Sequence, residues 1–215
     1  MQRGRHASAW SSVVPSGDEQ FALKKQALLK EAARAFSING YHSTSLLDVA
    51  KVLGVTKTAL YYYVESKQQI LYDCHMLSLD LGERAIEHAR LHGRDPLERI
   101  YLLAKKYVEL LTGEIGSCAV LLEFNALDPK NRAVVAKRRD SFEQNFRKFV
   151  ADAVKSGDAA KGVNEKLAIF FFMGAVNWLT RWYQPTGEFS GEFIAEQFAQ
   201  MLISAIRTPQ MAVAG

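Results

Sequence analysis

The chain has 215 residues, of which 48% are hydrophobic and 23% charged, and it carries a formal net charge of +4. That mixture is too apolar for a disordered chain, and no run approaches the roughly 20 uninterrupted apolar residues a membrane-spanning helix needs. Met1 to Pro15 lacks the apolar core of a secretory signal, and two cysteines, Cys74 and Cys118, cannot build a disulfide framework. A cytoplasmic protein without membrane partners is expected. The charge is unevenly divided. Residues 1–70 contain nine Lys/Arg and five Asp/Glu, and the remaining 145 residues hold 18 of each sign. An anionic partner is therefore expected at the N-terminal end.

Helical periodicity recurs from about residue 19 onward with no competing strand pattern, so the chain reads as all-α with about nine helices. Residues 1–17 read as a flexible basic arm around Arg3 and Arg5. A first helix begins near Asp18, carries the stripe Leu28, Ala32, Ala35 and Phe36, and stops at Asn39-Gly40. Thr44 or Ser45 caps a short helix whose inward face is Leu46, Val49, Ala50 and Leu53. Gly54 ends it, and Thr56 caps the next helix, Lys57 to about Tyr63. Ser66 caps a long helix reaching His92-Gly93. Asp95-Pro96 and Asp128-Pro129 each place an N-cap before a first-turn proline, opening helices to about Thr112 and Ser156. Between them, Cys118 to Asn125 reads as a short apolar helix. Asn164 opens an apolar helix that ends before Pro185, and a last helix runs from about Glu188 to Arg207. The expected division is an arm (1–17), a three-helix unit (18–66), a larger helical unit (67–208) and a tail (209–215).

The segment Thr44 to Lys67, TSLLDVAKVLGVTKTALYYYVESK, carries the chemistry. Two short helices joined through Gly54-Val55 fit a helix-turn-helix, whose second helix suits the major groove of DNA. Thr56, Lys57 and Thr58 at its start can reach base edges and phosphates, and the helix N-terminus favours an anion. Of Tyr61, Tyr62 and Tyr63, at least two cannot face the core in one helical turn, and an exposed phenol can bond a phosphate. Val55, Leu60 and Val64 read as core, and Tyr62 reads as packing before contact.

Phe21 to His75 resembles the TetR family of bacterial repressors. The resemblance rests on Phe36-Ser37-Ile38-Asn39-Gly40-Tyr41, Thr44-Ser45, Asp48-Val49-Ala50, Leu53-Gly54-Val55-Thr56-Lys57, Leu60-Tyr61-Tyr62-Tyr63-Val64, Ser66-Lys67 and Leu71. Val64 stands where the family often has Phe. The resemblance implies DNA contacts at Thr44, Ser45, Lys57, Thr58, Tyr61, Tyr63 and Lys67. It also implies a C-terminal helical unit that binds a small effector and pairs with a second subunit, giving a homodimer on a pseudo-palindromic operator.

The C-terminal residues agree with that expectation on their own terms. Leu167, Phe170, Phe171, Gly174, Ala175 and Trp178 line one late helix, and Ile194, Phe198, Met201 and Ala205 line the other. Two such helices from each subunit would make an intermolecular four-helix bundle. Asn177 and Arg181 are spaced i, i+4, as are Trp178 and Trp182. This stretch resembles a TetR subgroup sensing acyl-CoA thioesters in fatty-acid, aromatic or steroid breakdown. Tyr107, Phe124, Phe142 and Phe146 are candidates for an acyl cavity, with Asn177, Trp178 and Arg181 as further ligand residues. Core packing is an equal reading of the aromatic residues. The run Lys137-Arg138-Arg139 reads first as a solvated helix face and second as a contact for CoA phosphates.

Two further functional readings stay open: a repressor of an efflux or stress gene induced by a drug-like molecule, and an architectural DNA-binding protein without an effector. An enzyme is not expected, because no P-loop, nucleophile elbow or paired catalytic acid is present. His88 and His92 are spaced for a metal, but nothing nearby completes a site, and they read as a wet helix end. No cofactor is expected.

Overall fold

The computed structural model describes residues 16–113 and 123–207, and eight α-helices account for most of them. They are α1 Gly17–Asn39, α2 Leu46–Leu53, α3 Lys57–Tyr61, α4 Lys67–His92, α5 Pro96–Gly113, α6 Pro129–Ser156, α7 Glu165–Trp182 and α8 Gly191–Ile206. The fold is all-α, as expected. Most of the expected helix Cys118 to Asn125 lies outside the described residues, and its described end, 123–126, is a single 3₁₀ turn. Nine expected helices therefore become eight among the described residues. None of these helices is long and apolar enough to cross a membrane.

Side-chain caps set most of the boundaries. Ser16 and Glu19 form a reciprocal capping box at α1, and Ser45 and Asp48 repeat it at α2. Thr56, Ser66, Asp128, Asn164 and Ser190 each accept a bond from the backbone N–H three residues on. Two boundaries differ from the sequence expectation. The α3 helix stops at Tyr61, because the Tyr63 and Val64 amides both return to the Leu60 carbonyl and close a turn. The α8 helix starts at Gly191, where the Ser190 hydroxyl takes the Phe193 amide.

The buried apolar residues form two clusters. One joins Leu28, Leu29, Ala32, Ala33 and Phe36 of α1 with Leu46, Val49 and Ala50 of α2, Leu60, Val64, and Ile70, Leu71 and Cys74 of α4. Leu127 and Val135, from just before and within α6, are also buried there. The other gathers Leu81, Ala85, Ile86 and Ala89 of α4 around α5, which is packed between α4 and α8, together with α6 and α7. The α4 helix thus spans both clusters, one half in each. Any tilt of it moves one core relative to the other.

Candidate nucleic-acid interface and ligand cavity

The turn between α2 and α3 depends on Gly54, which adopts a left-handed conformation (φ 66°, ψ 27°) and donates its amide back to Ala50 and Lys51. A side chain there would be conformationally strained. With the turn set, Leu60 and Val64 anchor α3 on α1 and α2. The opposite side of α3 is left to solvent: Thr56, Lys57 and Thr58 are exposed, and Tyr61 is 50% exposed. The Lys57 ammonium lies 5.9 Å from the Tyr61 ring centroid, so the two side chains share one surface. The Thr56 hydroxyl accepts from the Ala59 amide at 3.2 Å, which leaves its own proton for an external acceptor. The exposed Ser45 hydroxyl both accepts from the Asp48 amide and donates to the Asp48 carboxylate at 2.6 Å. The hydroxyl, and the Ser45 amide that also donates to Asp48 Oδ2 at 2.9 Å, hold the Asp48 carboxyl below its usual pKa.

Five sequence expectations for this segment change. Thr44 is 2% exposed, and its hydroxyl faces the Ala35 and Gly40 carbonyls at 3.2 and 2.9 Å. It ties the end of α1 to the start of α2, and its side chain has no free hydroxyl to offer DNA. Lys67 is half-buried; its ammonium sits 4.1 Å from the Tyr41 ring centroid and donates to the His42 carbonyl at 3.3 Å. Burial lowers its pKa, and the charge of Glu123 opposes that shift. Tyr63 is half-buried against Phe21, with ring centroids 5.0 Å apart, whereas Tyr62 is 73% exposed. The outward tyrosines are therefore 61 and 62, not 61 and 63. Val55, read as core, is 43% exposed, because the Gly54 turn carries it past the packed face.

A cavity of about 580 Å³ opens between α4, α6 and α7. Its wall includes Tyr107, Phe124 and Phe142, joined by Leu79, Ile169 and Met173. Gly82 on α4 permits this wall: a Cβ there would meet the Phe142 ring at 2.9 Å and Tyr107 at 3.6 Å. The Tyr107 and Phe142 rings lie 5.1 Å apart. Polar groups enter at Ser78, Arg139, Asp140, Glu143 and Asn177. The Asn177 Oδ1 is buried without a hydrogen-bond partner among the described residues. A half-open apolar space with a few convergent polar groups is how small-molecule sites are built.

Three expected ligand residues do not line this space. Phe146 is fully buried behind it, packed edge-on between Phe142 and Phe172. Trp178 and Arg181 are exposed on the outer side of α7. Consecutive i, i+4 positions drift by about 40° around a helix, so Asn177 turns toward α6 while Arg181, in the last turn, does not. Trp178 instead joins Leu167, Phe170 and Phe171 in an exposed apolar face on α7, and Phe193 and Met201 of α8 are exposed as well. Ile194, expected on that face, is buried in the core.

The cavity wall and the N-terminal core share residues. Phe124 lines the cavity and also packs against the N-terminal cluster, and it meets buried His75 edge-on at 6.3 Å. The His75 Nε2 is buried without a partner among the described residues. Burial, with the positive charge of Arg139 second, lowers its pKa from 6.5 to about 4. The Gln68 carboxamide on α4 bonds the Ala126 carbonyl at 2.7 Å and the Asp128 amide at 3.2 Å, fixing the turn that carries Phe124. Across the same junction Arg138 pairs with Asp80 and Glu83 of α4. The His88 and His92 rings stack at 4.4 Å, and His92 Nδ1 lies 2.8 Å from the His88 carbonyl, which is local helix-end packing.

A helix-turn-helix with an exposed basic and tyrosine-bearing second helix, joined through α4 to a helical unit with a cavity, defines a DNA-binding regulatory protein. The family model for bacterial regulatory proteins of the tetR family matches residues 28–74, and that for tetracyclin repressor-like C-terminal domains matches residues 93–206. The chain belongs to the TetR family of transcriptional regulators. It is 26% identical over 216 residues to the HTH-type transcriptional repressor KstR2 of Mycolicibacterium smegmatis, covering 92% of this chain and 98% of that protein. The TetR family transcriptional regulator PfmR of Thermus thermophilus superposes with a TM-score of 0.71 at 30% identity, over 82% of this chain and 97% of PfmR. AibR, solved in complex with isovaleryl coenzyme A and operator DNA, shares the fold with a TM-score of 0.70 at 24% identity, over 87% of this chain and all of AibR.

Proposed function

We propose that this protein is a homodimeric repressor that binds a pseudo-palindromic operator and is released from it by a small hydrophobic effector, an acyl-CoA thioester of a catabolic pathway. Residues 18–66 are the DNA-reading unit, and 67–208 the effector and pairing unit, which lends Leu127 and Val135 to the first core. Ser45, Thr56, Lys57, Thr58 and Tyr61 meet the DNA, with Tyr62 added to the set. Thr44, Tyr63 and Lys67 support that surface from within.

The cavity carries this reading, because its wall residue Phe124 also belongs to the N-terminal core. A ligand that displaces Phe124 acts on the Gln68 clamp and the first half of α4 without touching α3. Such a ligand shifts the population only as far as it binds the released arrangement better than the DNA-bound one. The apolar face of α7 and α8 suits a second copy, since an operator with two half-sites calls for two recognition helices. Phe170 and Gly174 belong to both that face and the cavity wall, so pairing also roofs the cavity. The acyl-CoA class is supported by the aromatic and aliphatic wall, by the subgroup resemblance, and by the ligand held in AibR. Asp140 and Glu143 in the same wall favour a second reading, a cationic drug-like inducer.

Operator release separates the two. Octanoyl-CoA and palmitoyl-CoA are expected to raise the melting temperature and free a bound operator duplex, while rhodamine 6G does neither. If rhodamine 6G releases the duplex and the thioesters do not, the effector class is wrong. If nothing releases it, the ligand-responsive reading fails.

A further inference from the structure

The three consecutive basic residues of α6 separate in the structure. Lys137 is exposed. Arg138 is held by Asp80 and Glu83 of α4 at 2.8 and 2.7 Å. Arg139 alone of the three lines the cavity, half-buried, with its guanidinium carbon 4.9 Å from the Phe124 ring centroid. No carboxylate among the described residues lies within ion-pair distance of it. Of the two acids in the same wall, Glu143 leans toward Arg147 at 3.8 Å and Asp140 is exposed. His75, edge-on to Phe124, is buried and adds no charge near neutral pH.

A guanidinium has five donors and no acceptor, and an aromatic face satisfies its charge but not those donors. A planar anion would supply two acceptors at once. Across the space, the Asn177 carboxamide has a buried oxygen without a partner, so the site offers a second polar group on α7 to a head that enters between the helices.

We propose that Arg139 is the anion anchor of the effector cavity, selecting an apolar chain that carries an anionic head and drawing that head against Phe124. The inference rests on the reading of this cavity as the effector site. A fatty-acid carboxylate and a CoA phosphate present the same chemistry to it. A head held there lies beside Phe124, the ring that the cavity shares with the N-terminal core.

Affinities of the full-length protein for decanoate, 1-decanol and decanoyl-CoA test this directly, in the wild type, Arg139→Gln and Arg139→Lys. The wild type is expected to bind decanoate or decanoyl-CoA about tenfold or more tightly than decanol, the scale of one charge-assisted hydrogen bond. Whichever of the two anions binds tighter identifies the head. Arg139→Gln is expected to lose that preference while still binding decanol, and Arg139→Lys to recover part of it. An anion preference that survives Arg139→Gln, or a wild type that binds decanol equally well, overturns the anchor. If decanoyl-CoA still releases operator DNA in that case, the effector reading stands without it. If none of the three ligands binds the wild type, both readings fall.

Discussion

Lys67→Met keeps most of the aliphatic stem and deletes the ammonium. In the folded protein that ammonium lies 4.1 Å from the Tyr41 ring centroid and bonds the His42 carbonyl at 3.3 Å. A partly desolvated cation–π contact is worth about 0.5–2 kcal/mol and a hydrogen bond from a charged donor about 1.5 kcal/mol or more in good geometry. The bond is long and the side chain half-buried, so the expected loss is about 1–2 kcal/mol. For a chain of this size that is a fall in melting temperature of roughly 2–8 °C at fixed protein concentration. Operator affinity measured against salt supplies the contrast. Each phosphate contact adds about 0.9 to the slope of log K against log salt. Lys67→Met is expected to leave the slope unchanged, and Lys57→Met to reduce it by roughly 2 for a dimer with one contact per subunit. If Lys67→Met flattens the slope as much as Lys57→Met and leaves the melting temperature alone, the assignment of Lys67 to Tyr41 is wrong.

Three further outcomes follow from the same geometry. His75 has a native pKa of about 4 against 6.5 when solvated, so the unfolded chain binds the extra proton first. Stability from this group is complete above pH 6.5 and is lost as the pH falls toward 4. A urea titration series should show a loss of about 3 kcal/mol across that window, absent in His75→Phe. Gly54→Ala meets no atom within 4 Å but must hold φ near 66°, so it should cost about 1 kcal/mol in chemical denaturation, and Gly54→Asn less. Gln68→Ala removes both bonds to the turn carrying Phe124; effector and operator should each still bind, while the factor by which effector weakens operator binding falls. An unchanged factor would place the coupling elsewhere along α4.

The parts of this fold that were legible in the chain are those with local signals. Ser45, Thr56, Ser66 and Asp128 cap their helices as their spacing predicts, and Gly54 supplies the one conformation the helix-turn-helix requires. The apolar α7 face was also legible, since Leu167, Phe170, Phe171 and Trp178 exceed what one buried stripe can hold. What failed needed tertiary information. Helix α3 has five residues, too few turns to phase Tyr61, Tyr62 and Tyr63 by periodicity, so Tyr62 and Tyr63 were exchanged. Lys67 lies 26 residues along from Tyr41, and nothing local announces their contact. Spacing placed Asn177 with Arg181 on α7 but could not say that only Asn177 meets α6. The run Lys137-Arg138-Arg139 read as one unit, and the fold divides it between solvent, α4 and the cavity.

In the proposed dimer, two copies of α3 read DNA together. Selection of bound duplexes from a random library by the full-length protein tests it most directly. The expected result is enrichment of a pseudo-palindrome whose half-sites lie about one helical turn, or a multiple of it, apart, with that enrichment lost in Lys57→Ala. A pool that stays random, a single asymmetric site, or an enrichment indifferent to Lys57 would contradict it.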